Sequence, residues 1–398
     1  MHDLLIVGGG PIGATLALLL ADSGLKYRVL DARPPASNGA PDRTLALSYN
    51  TRLLFERLGV WRRLGRVTPI EEIDVSQKGG FGVTRLSARD VDLPALGYVI
   101  HYADLQRVLD RALEESGVNV ARGQRVERIT SSGTEATVEI SAANSAPFDA
   151  SAARPSADAA SGSNQQQAKL VAIADGTGDI VPELRRRKID YRQRALIGHV
   201  ECDRMPGGVA FERFTPDGPV ALLPDESGYA LVWTARPERA TLLGVQEDAD
   251  FLDALQHHFG NRVGRFTSIR ERNVFPLSLQ FASAVRGRRW VVLGNAAQAL
   301  HPIAGQGFNL GLRDVWAFAE TLRDCADNDI GESRCLDTYA DARRTDRWAG
   351  MLMTHGLVGI FATELSVVSA ARGLGLTLLD SIPPLKRALT RAMQNGLR

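Results

Sequence analysis

Residues 1–31 read MHDLLIVGGGPIGATLALLLADSGLKYRVLD, and this run decides the fold. Leu4–Val7 is an apolar segment of strand length. Gly8-Gly9-Gly10-Pro11-Ile12-Gly13 satisfies G-x-G-x-x-G. A helix is expected from about Gly13 to Ser23, stopped by Gly24. Tyr27–Leu30 is the next strand, with Asp31 at its end. Strand, glycine turn, helix and a second strand ending in an acid make up the Rossmann unit. In such a unit Gly8 permits the tight turn and Gly10 lets a pyrophosphate reach the backbone. Gly13 lets the helix pack on the strand, and Asp31 binds the adenosine ribose. A bare G-x-G-x-x-G is a weak signal, but here every flanking part is in place. The pattern does not separate NAD from FAD.

A second glycine-rich run closes the same unit far downstream. Residues 290–316 read WVVLGNAAQALHPIAGQGFNLGLRDVW. Arg289–Leu293 is a short strand, and Gly294, Asn295, Ala296 and Ala297 make a close-approach turn. His301-Pro302 leads to Gly305-Gln306-Gly307, where a helix is expected to begin. A helix start directs unpaired N–H groups and a positive dipole end outward, a setting for an anion or a carbonyl that gains negative charge.

Composition narrows the class. The chain has 398 residues with a formal net charge of +1, so a phosphate-dominated nucleic-acid binder is excluded. Cys202, Cys325 and Cys335 form no C-x-x-C, which argues against a disulfide framework or zinc site and makes a reducing cytoplasm the default. No metal-ligand cluster stands out. The N-terminus lacks a signal-peptide pattern, and no uninterrupted apolar run reaches transmembrane length.

The expected class is α/β: a Rossmann-like nucleotide domain with an inserted β-sheet domain and C-terminal helices. The nucleotide domain is expected to be discontinuous, over residues 1–69, 100–188 and 286–345. Residues 70–99 and 189–285 would form the β-sheet domain, and 346–398 a C-terminal helical segment. Tyr102–Glu115 is an amphipathic helix with Leu105, Val108, Leu109 and Leu113 on one face. Val209–Phe214, Val220–Leu223 and Tyr229–Ala235 are strands joined by the turn signals Thr215–Gly218 and Asp225–Gly228. Asp248–Phe259 is a helix. Ala142–Gln167 is rich in Ala, Ser, Asn and Gln and is read as a disordered insert.

Three motifs in order, Gly8–Gly13 with Asp31, Ala174-Asp175-Gly176, and Gly294–Gly307, resemble those of the FAD-dependent aromatic hydroxylases related to para-hydroxybenzoate hydroxylase. Within that superfamily the chain is similar to the ubiquinone-biosynthesis hydroxylases, nearest the branch acting on 2-octaprenyl-6-methoxyphenol. Gly294–Gln298, His301–Asn309, Ala210–Phe214, Leu58–Trp61 and Leu231–Trp233 carry the likeness, which covers nearly the whole chain. It implies an FAD monooxygenase that hydroxylates the ring of a polyprenyl (methoxy)phenol with O₂. The alternatives are another FAD-dependent aromatic hydroxylase, or a flavoprotein scaffold in a ubiquinone-biosynthesis complex.

By position, the resemblance assigns Gly8, Gly10, Gly13, Asp31, Arg43, Gln106, Asp175, Gly294, Asn295, Gly305, Gly307 and Asn309 to FAD. It draws His301, Pro302 and Gln306 toward the reacting centre, although His301 reads equally as a residue that orients its loop. Asn295 stands where much of the superfamily has Asp. Asp179 and Pro182 depart from the Ser and Arg that often follow Asp-Gly. No second nucleotide fold exists for a donor, so NAD(P)H or another transient reductant is expected. Phe211, Phe214, Leu222 and Trp233 are candidates to line a prenyl channel, though core packing is the better reading of each. Leu385–Arg398 sets Leu385, Leu389, Ala392 and Met393 on one side and Lys386, Arg387, Arg391 and Arg398 elsewhere. That pattern fits peripheral contact at the inner membrane face or packing on the chain's own domain.

Overall fold

The structure is a computed structural model, and it describes residues 1–34, 43–142, 164–302, 305–325, 328–362 and 366–396. Strands β1 (His2–Val7) and β2 (Tyr27–Asp31) flank α1 (Pro11–Leu19). Next come β3 (Thr44–Ser48), α2 (Tyr49–Arg57), β4 (Val67–Ile70), β5 (Glu72–Gln77), β6 (Val83–Ser87) and β7 (Gly97–His101). After α3 (Tyr102–Glu115) run β8 (Val120–Arg122), β9 (Gln124–Ser131), β10 (Ala136–Ala142) and β11 (Asn164–Ile173). The middle of the chain holds β12 (Arg186–Cys202), β13 (Val209–Thr215), β14 (Gly218–Asp225), β15 (Gly228–Ala235), α4 (Pro237–Val245), α5 (Asp248–Phe259) and β16 (Phe266–Ala282). Short strands β17 (Arg286–Gly287), β18 (Trp290–Val292) and β19 (Gln298–Ala299) precede α6 (Gln306–Asp324), α7 (Ser333–Ala362), α8 (Ser366–Ser381) and α9 (Pro383–Asn395).

The strands form three sheets. The first runs β17-β18-β11-β1-β2-β8, with β10 paired to β11 and β9 to β10. Its β18, β11, β1, β2 and β8 are parallel neighbours. Parallel strands are buried on both faces, which is why Leu4, Leu5, Ile6, Leu170, Val171, Ala172 and Ile173 have no exposed surface. The second sheet runs β19-β16-β12-β15-β14-β13-β5-β6 and is mostly antiparallel. A third, β3-β7-β4, lies between them in sequence and in space.

The second sheet uses its two faces differently. Leu196, Val220, Leu222, Leu231 and Trp233 pack with Leu243, Phe251, Leu255 and Phe259 of α4 and α5. The alternate residues face inward. Ile73, Ala210 and Leu223 meet Ala46, Ile70 and Val99 of the third sheet, and Phe214 meets Val358 and Leu357 of α7. Leu222, Trp233 and Phe211 therefore belong to the helix-covered core and cannot line an inner channel; of the four candidates only Phe214 points inward.

Several boundaries are corrected. Residues 143–163 of the expected insert lie outside the described residues, but its ends belong to β10 and β11, where Ile140 pairs with Asn164 and Thr137 with Gln167. The border drawn at 345/346 falls inside α7, which buried ion pairs hold to α6: Arg343 to Asp314 at 2.8 Å and Arg313 to Asp346 at 2.8 Å. Cys325 and Cys335 form a disulfide, with Cα atoms 6.2 Å apart, contrary to the reading of the cysteines. They are ten residues apart, and only the packing of α7 on α6 brings them together. The α9 helix docks on its own chain. Gln394 Oε1 accepts from Tyr49 N at 2.9 Å, Met393 packs near Leu86 and Leu96, and Lys386 pairs with Asp90.

Two glycines set the spacing of the first unit. A Cβ on Gly13 would lie 1.9 Å from the Gly8 carbonyl oxygen, and one on Gly8, at φ +102°, would lie 2.5 Å from the Ala174 carbonyl oxygen. Gly13→Ala should therefore destabilise the fold by about 3 kcal/mol, at the upper end of the usual overpacking cost. Equilibrium urea unfolding measures this; a variant as stable as the parent contradicts the close approach.

Candidate functional site

The glycine turn after β1 leaves open space where the other glycines leave none. A Cβ on Gly10 would meet only the Tyr102 hydroxyl, at 3.9 Å. Gly10 is the N-cap of α1, and no side chain caps that helix. Its position thus offers backbone N–H groups and room for a diphosphate. The Arg43 guanidinium stacks 4.7 Å over the Tyr102 ring, which places a cation beside this space.

Gln106, in α3, donates from Nε2 to the Gly9 carbonyl at 3.1 Å and to Asp110 at 2.9 Å. Its Oε1 is buried with no partner among the described residues. A buried acceptor left unpaired is costly, and a ligand hydroxyl would satisfy it. Asp31 is buried at the end of β2, and its Oδ2 accepts from Arg33 and Arg122 at 2.6 and 3.2 Å. Its Oδ1 accepts from Arg33 N at 3.1 Å and keeps a second lone pair for a ribose hydroxyl. The open cradle at Gly10, the orphaned Gln106 oxygen and the carboxylate at Asp31 fit the phosphate and ribose parts of FAD.

The downstream motifs close on the same turn. Asp175 Oδ1 accepts from Thr177 N at 3.0 Å and Gly178 N at 2.8 Å, so its carboxylate shapes the loop after β11. A Cβ on Gly294 would come 3.0 Å from Ile12 Cγ1 in α1, and one on Gly311 would come 3.0 Å from Gly294 Cα. Asn295 is exposed beside this contact, and its carbonyl accepts from Arg186 at 3.1 Å. Gly305, in the left-handed region at φ +59°, is the N-cap of α6; a Cβ there would be 3.0 Å from Ala46 Cβ. Ala46 belongs to the apolar cluster that includes Ala210 and Leu223. The start of α6 therefore borders the inner face of the second sheet. Gly307 and Gln306 lie in the first turn, partly buried, and Pro302 is exposed just before it.

Asn309 was expected at the cofactor. Its Oδ1 accepts from Ser48 N and Thr51 Oγ1, both at 2.8 Å, and its Nδ2 donates to Ala46 O and Gly305 O at 2.9 and 3.0 Å. All of its amide groups thus tie β3 and α2 to the start of α6. His301 is buried, with its ring edge-on to Tyr191 at 5.4 Å. Burial lowers its pKa to about 4, so the imidazole is neutral at physiological pH.

Two features of the inner face were not read from the sequence. Asp225 Oδ2 lies 3.4 Å from His101 Nε2 and 3.3 Å from His199 Nε2, joining β7 to β12 and β14. Burial alone would raise the Asp225 pKa. Hydrogen bonds from His101, His199 and the Glu226 N–H outweigh it and hold the carboxylate well below its usual range. Glu212, in β13, is partly buried between the two inner apolar clusters, and burial raises its pKa to about 7. The signal for Glu212 was present in the alternation of Val209–Phe214, where it shares a face with Ala210 and Phe214. The Asp225 cluster joins residues from three separated segments, and no local pattern announces it.

The FAD binding domain family model matches residues 1–353. Ubiquinone hydroxylase UbiL of Rhodospirillum rubrum is 31% identical, covering 100% of this chain and 90% of that protein. The 3-demethoxyubiquinol 3-hydroxylase of Escherichia coli is 29% identical, covering 97% and 96%. The crystal structure of p-nitrophenol 4-monooxygenase PnpA from Pseudomonas putida superposes with a TM-score of 0.77 at 19% identity, over 100% of this chain and 99% of that one.

Gly10→Val should leave the fold intact, because nothing packed lies where its side chain would go. It should abolish flavin binding by filling the cradle. Flavin absorbance of the purified variant, read against its circular dichroism, checks both halves.

Asp225→Asn should cost about 3 kcal/mol at neutral pH, since it removes a buried carboxylate that accepts hydrogen bonds from two histidines and a backbone N–H. The sign follows from the depressed pKa: the stabilisation is present above the ordinary Asp value and lost as pH falls through the folded one. The gap between variant and parent in urea midpoints should therefore narrow below about pH 4; a gap that holds constant into acid refutes the assignment.

Proposed function

The chain belongs to the FAD binding domain family and, within it, to the ubiquinone hydroxylases; from that premise we propose that it is an FAD-dependent monooxygenase inserting one oxygen atom from O₂ into the ring of a polyprenyl (methoxy)phenol. One observation carries the reading. The open diphosphate cradle at Gly10 shares its domain with the start of α6, and that start faces the apolar inner side of the second sheet. A dinucleotide bound at the first would extend toward the apolar face beside the second.

FAD, when bound, supplies the redox chemistry, with electrons from NAD(P)H or another transient reductant and with O₂ as co-substrate. The residues of the chain bind, orient and shield. Gly10, Arg43, Asp31 and Gln106 would hold the phosphates and the adenosine ribose. Gly305 and Gly307 would let the flavin edge approach the first turn of α6, whose dipole favours negative charge on the ring. The Asn309 side chain fixes that turn against β3 and α2, which would hold its backbone N–H in place beside the flavin. Neutral His301 and Pro302 shape the loop before α6. Ile73, Ala210, Leu223 and Phe214 make the inner face of the second sheet apolar, which would exclude water from an oxygen transfer.

A prenyl-tailed substrate resides in lipid, and we extend the proposal to peripheral contact with an anionic membrane. Leu374, Leu378, Ile382 and Leu385 form an exposed stripe along α8 and the start of α9, beside exposed Arg387 and Arg391. No helix among the described residues is long and apolar enough to cross a membrane. Contact with other ubiquinone-biosynthesis proteins belongs to the same proposal.

Cells lacking the protein should lose ubiquinone and accumulate a precursor one hydroxyl short, seen by mass spectrometry of quinone extracts. Isotope from labelled O₂, not from labelled water, should enter the product. A catalytically dead flavoprotein that restores ubiquinone would favour the scaffold reading instead.

A further inference from the structure

On the inner face of the second sheet, Glu212 is an acid with no partner among the described residues. No hydrogen bond or ion pair among the described residues reaches the Glu212 carboxylate. Across the sheet its register partners are Val75 on one side and Ala221 on the other. Along its own strand the residues on the same face are Ala210 and Phe214, each in an apolar cluster. The first cluster includes Ala46, which the Gly305 turn touches; the second includes Tyr191, which meets His301. Glu212 thus lies on the inner face of the second sheet, between the cluster that the Gly305 turn touches and the cluster that meets His301.

Titratable groups on the surrounding elements do not neutralise it. Tyr191 and His355 interact with each other at 3.3 Å, and His301 is turned edge-on to Tyr191. Asp225 is held by His199 and His101 further along the sheet. Asp74, Arg213 and Arg262 lie on the opposite face, where Asp74 pairs with Arg262 and Arg213 reaches Ser76. No neighbouring charge acts on Glu212, and desolvation alone moves its pKa to about 7. A carboxyl poised there changes protonation in the range where a base works at neutral pH.

We propose that Glu212 is the general base that takes the proton from the ring hydroxyl of the bound phenol. The phenol O–H bond breaks, its electron pair stays on the ring oxygen, and the proton forms an O–H bond on a Glu212 oxygen. The ring becomes electron-rich enough to accept an electrophilic oxygen, and the carboxyl returns its proton to solvent once product has left. The inference rests on the functional reading above.

The test uses the holoenzyme with its flavin photoreduced, mixed with oxygenated buffer and a geranyl-bearing 2-methoxyphenol as probe, so that no donor need be known. Glu212→Gln should slow single-turnover hydroxylation by roughly 10²-fold, with probe affinity within a few fold and flavin content unchanged. The acid limb of the parent's pH–rate profile, with its midpoint near 7, should vanish, and Glu212→Asp should restore part of the rate. Infrared titration of the parent should show a protonated-carboxyl band that responds to the probe and is missing from Glu212→Gln. Rates within threefold of the parent at every pH overturn the proposal, as does a rate loss matched by an equal loss of probe affinity. If the parent makes no product, the substrate reading fails, and the infrared band still decides Glu212: a band indifferent to the phenol overturns its role, and a responsive one upholds it.

Discussion

Three backbones meet where no side chain fits, and the arrangement of the molecule follows from that contact. Gly13 rests on the carbonyl of Gly8, and Gly8 rests on the carbonyl of Ala174. This brings α1, the end of β1 and the end of β11 to one point at the C-terminal ends of the central parallel strands. Gly294 and Gly311 extend the constraint by pressing the turn after β18 and the body of α6 onto Ile12. Close approach of this kind turns a glycine substitution into a backbone displacement rather than a local rearrangement. Gly10 lies within the same turn and is spared, so the close-packed glycines frame a space that Gly10 leaves open.

Around this point a buried polar network fixes the helices that follow. Asp314 has no exposed surface; it pairs with Arg343 and accepts from Gln298, whose oxygen accepts from Arg347 at 2.7 Å. Asp346 binds both Arg343 and Arg313. Charges buried this deeply contribute little net stability against an apolar alternative, but a missing partner costs several kcal/mol. We read the network as a registration device: it sets α7 on α6 and on the Gln298 strand, so that Leu357 and Val358 reach the inner face of the second sheet.

Much of this was legible in the sequence because it is local. The Gly8–Gly13 turn, α3, α5 and the hairpins of β13, β14 and β15 each carry a period or turn signal within a dozen residues. The long strands β12 and β16 were less visible, because bulges shift their register at Asp190/Gln193 and Ile197/His199 and break the alternation. The border placed inside α7 shows the same limit: composition changes near Trp348, while the helix is held by Arg343 and Arg347 from beyond the change. At the site, motif position located Asn309 and Asp175 but not the hydrogen bonds their side chains make within the chain. Asn309 spends its hydrogen bonds on Ser48, Thr51, Ala46 and Gly305, residues that only the fold brings within reach.

Buried His301 and partly buried Glu212, both beside the inner face of the second sheet, show why local identity is a poor guide to protonation. His301 was singled out by its motif, and Glu212 passed as one letter in a resemblance. Both border the Tyr191–Phe214 cluster, and the same loss of water acts on each with opposite sign. Burial disfavours charge, so the imidazole gives up its proton readily and falls to about 4 while the carboxyl holds its proton and rises to about 7. The histidine, whose ordinary pKa suits neutral chemistry, is moved out of that range. The glutamate, whose ordinary pKa does not, is moved into it. A group that titrates near neutrality is therefore found not at the residue the motif advertises but at the one that the pleat of β13 places inward.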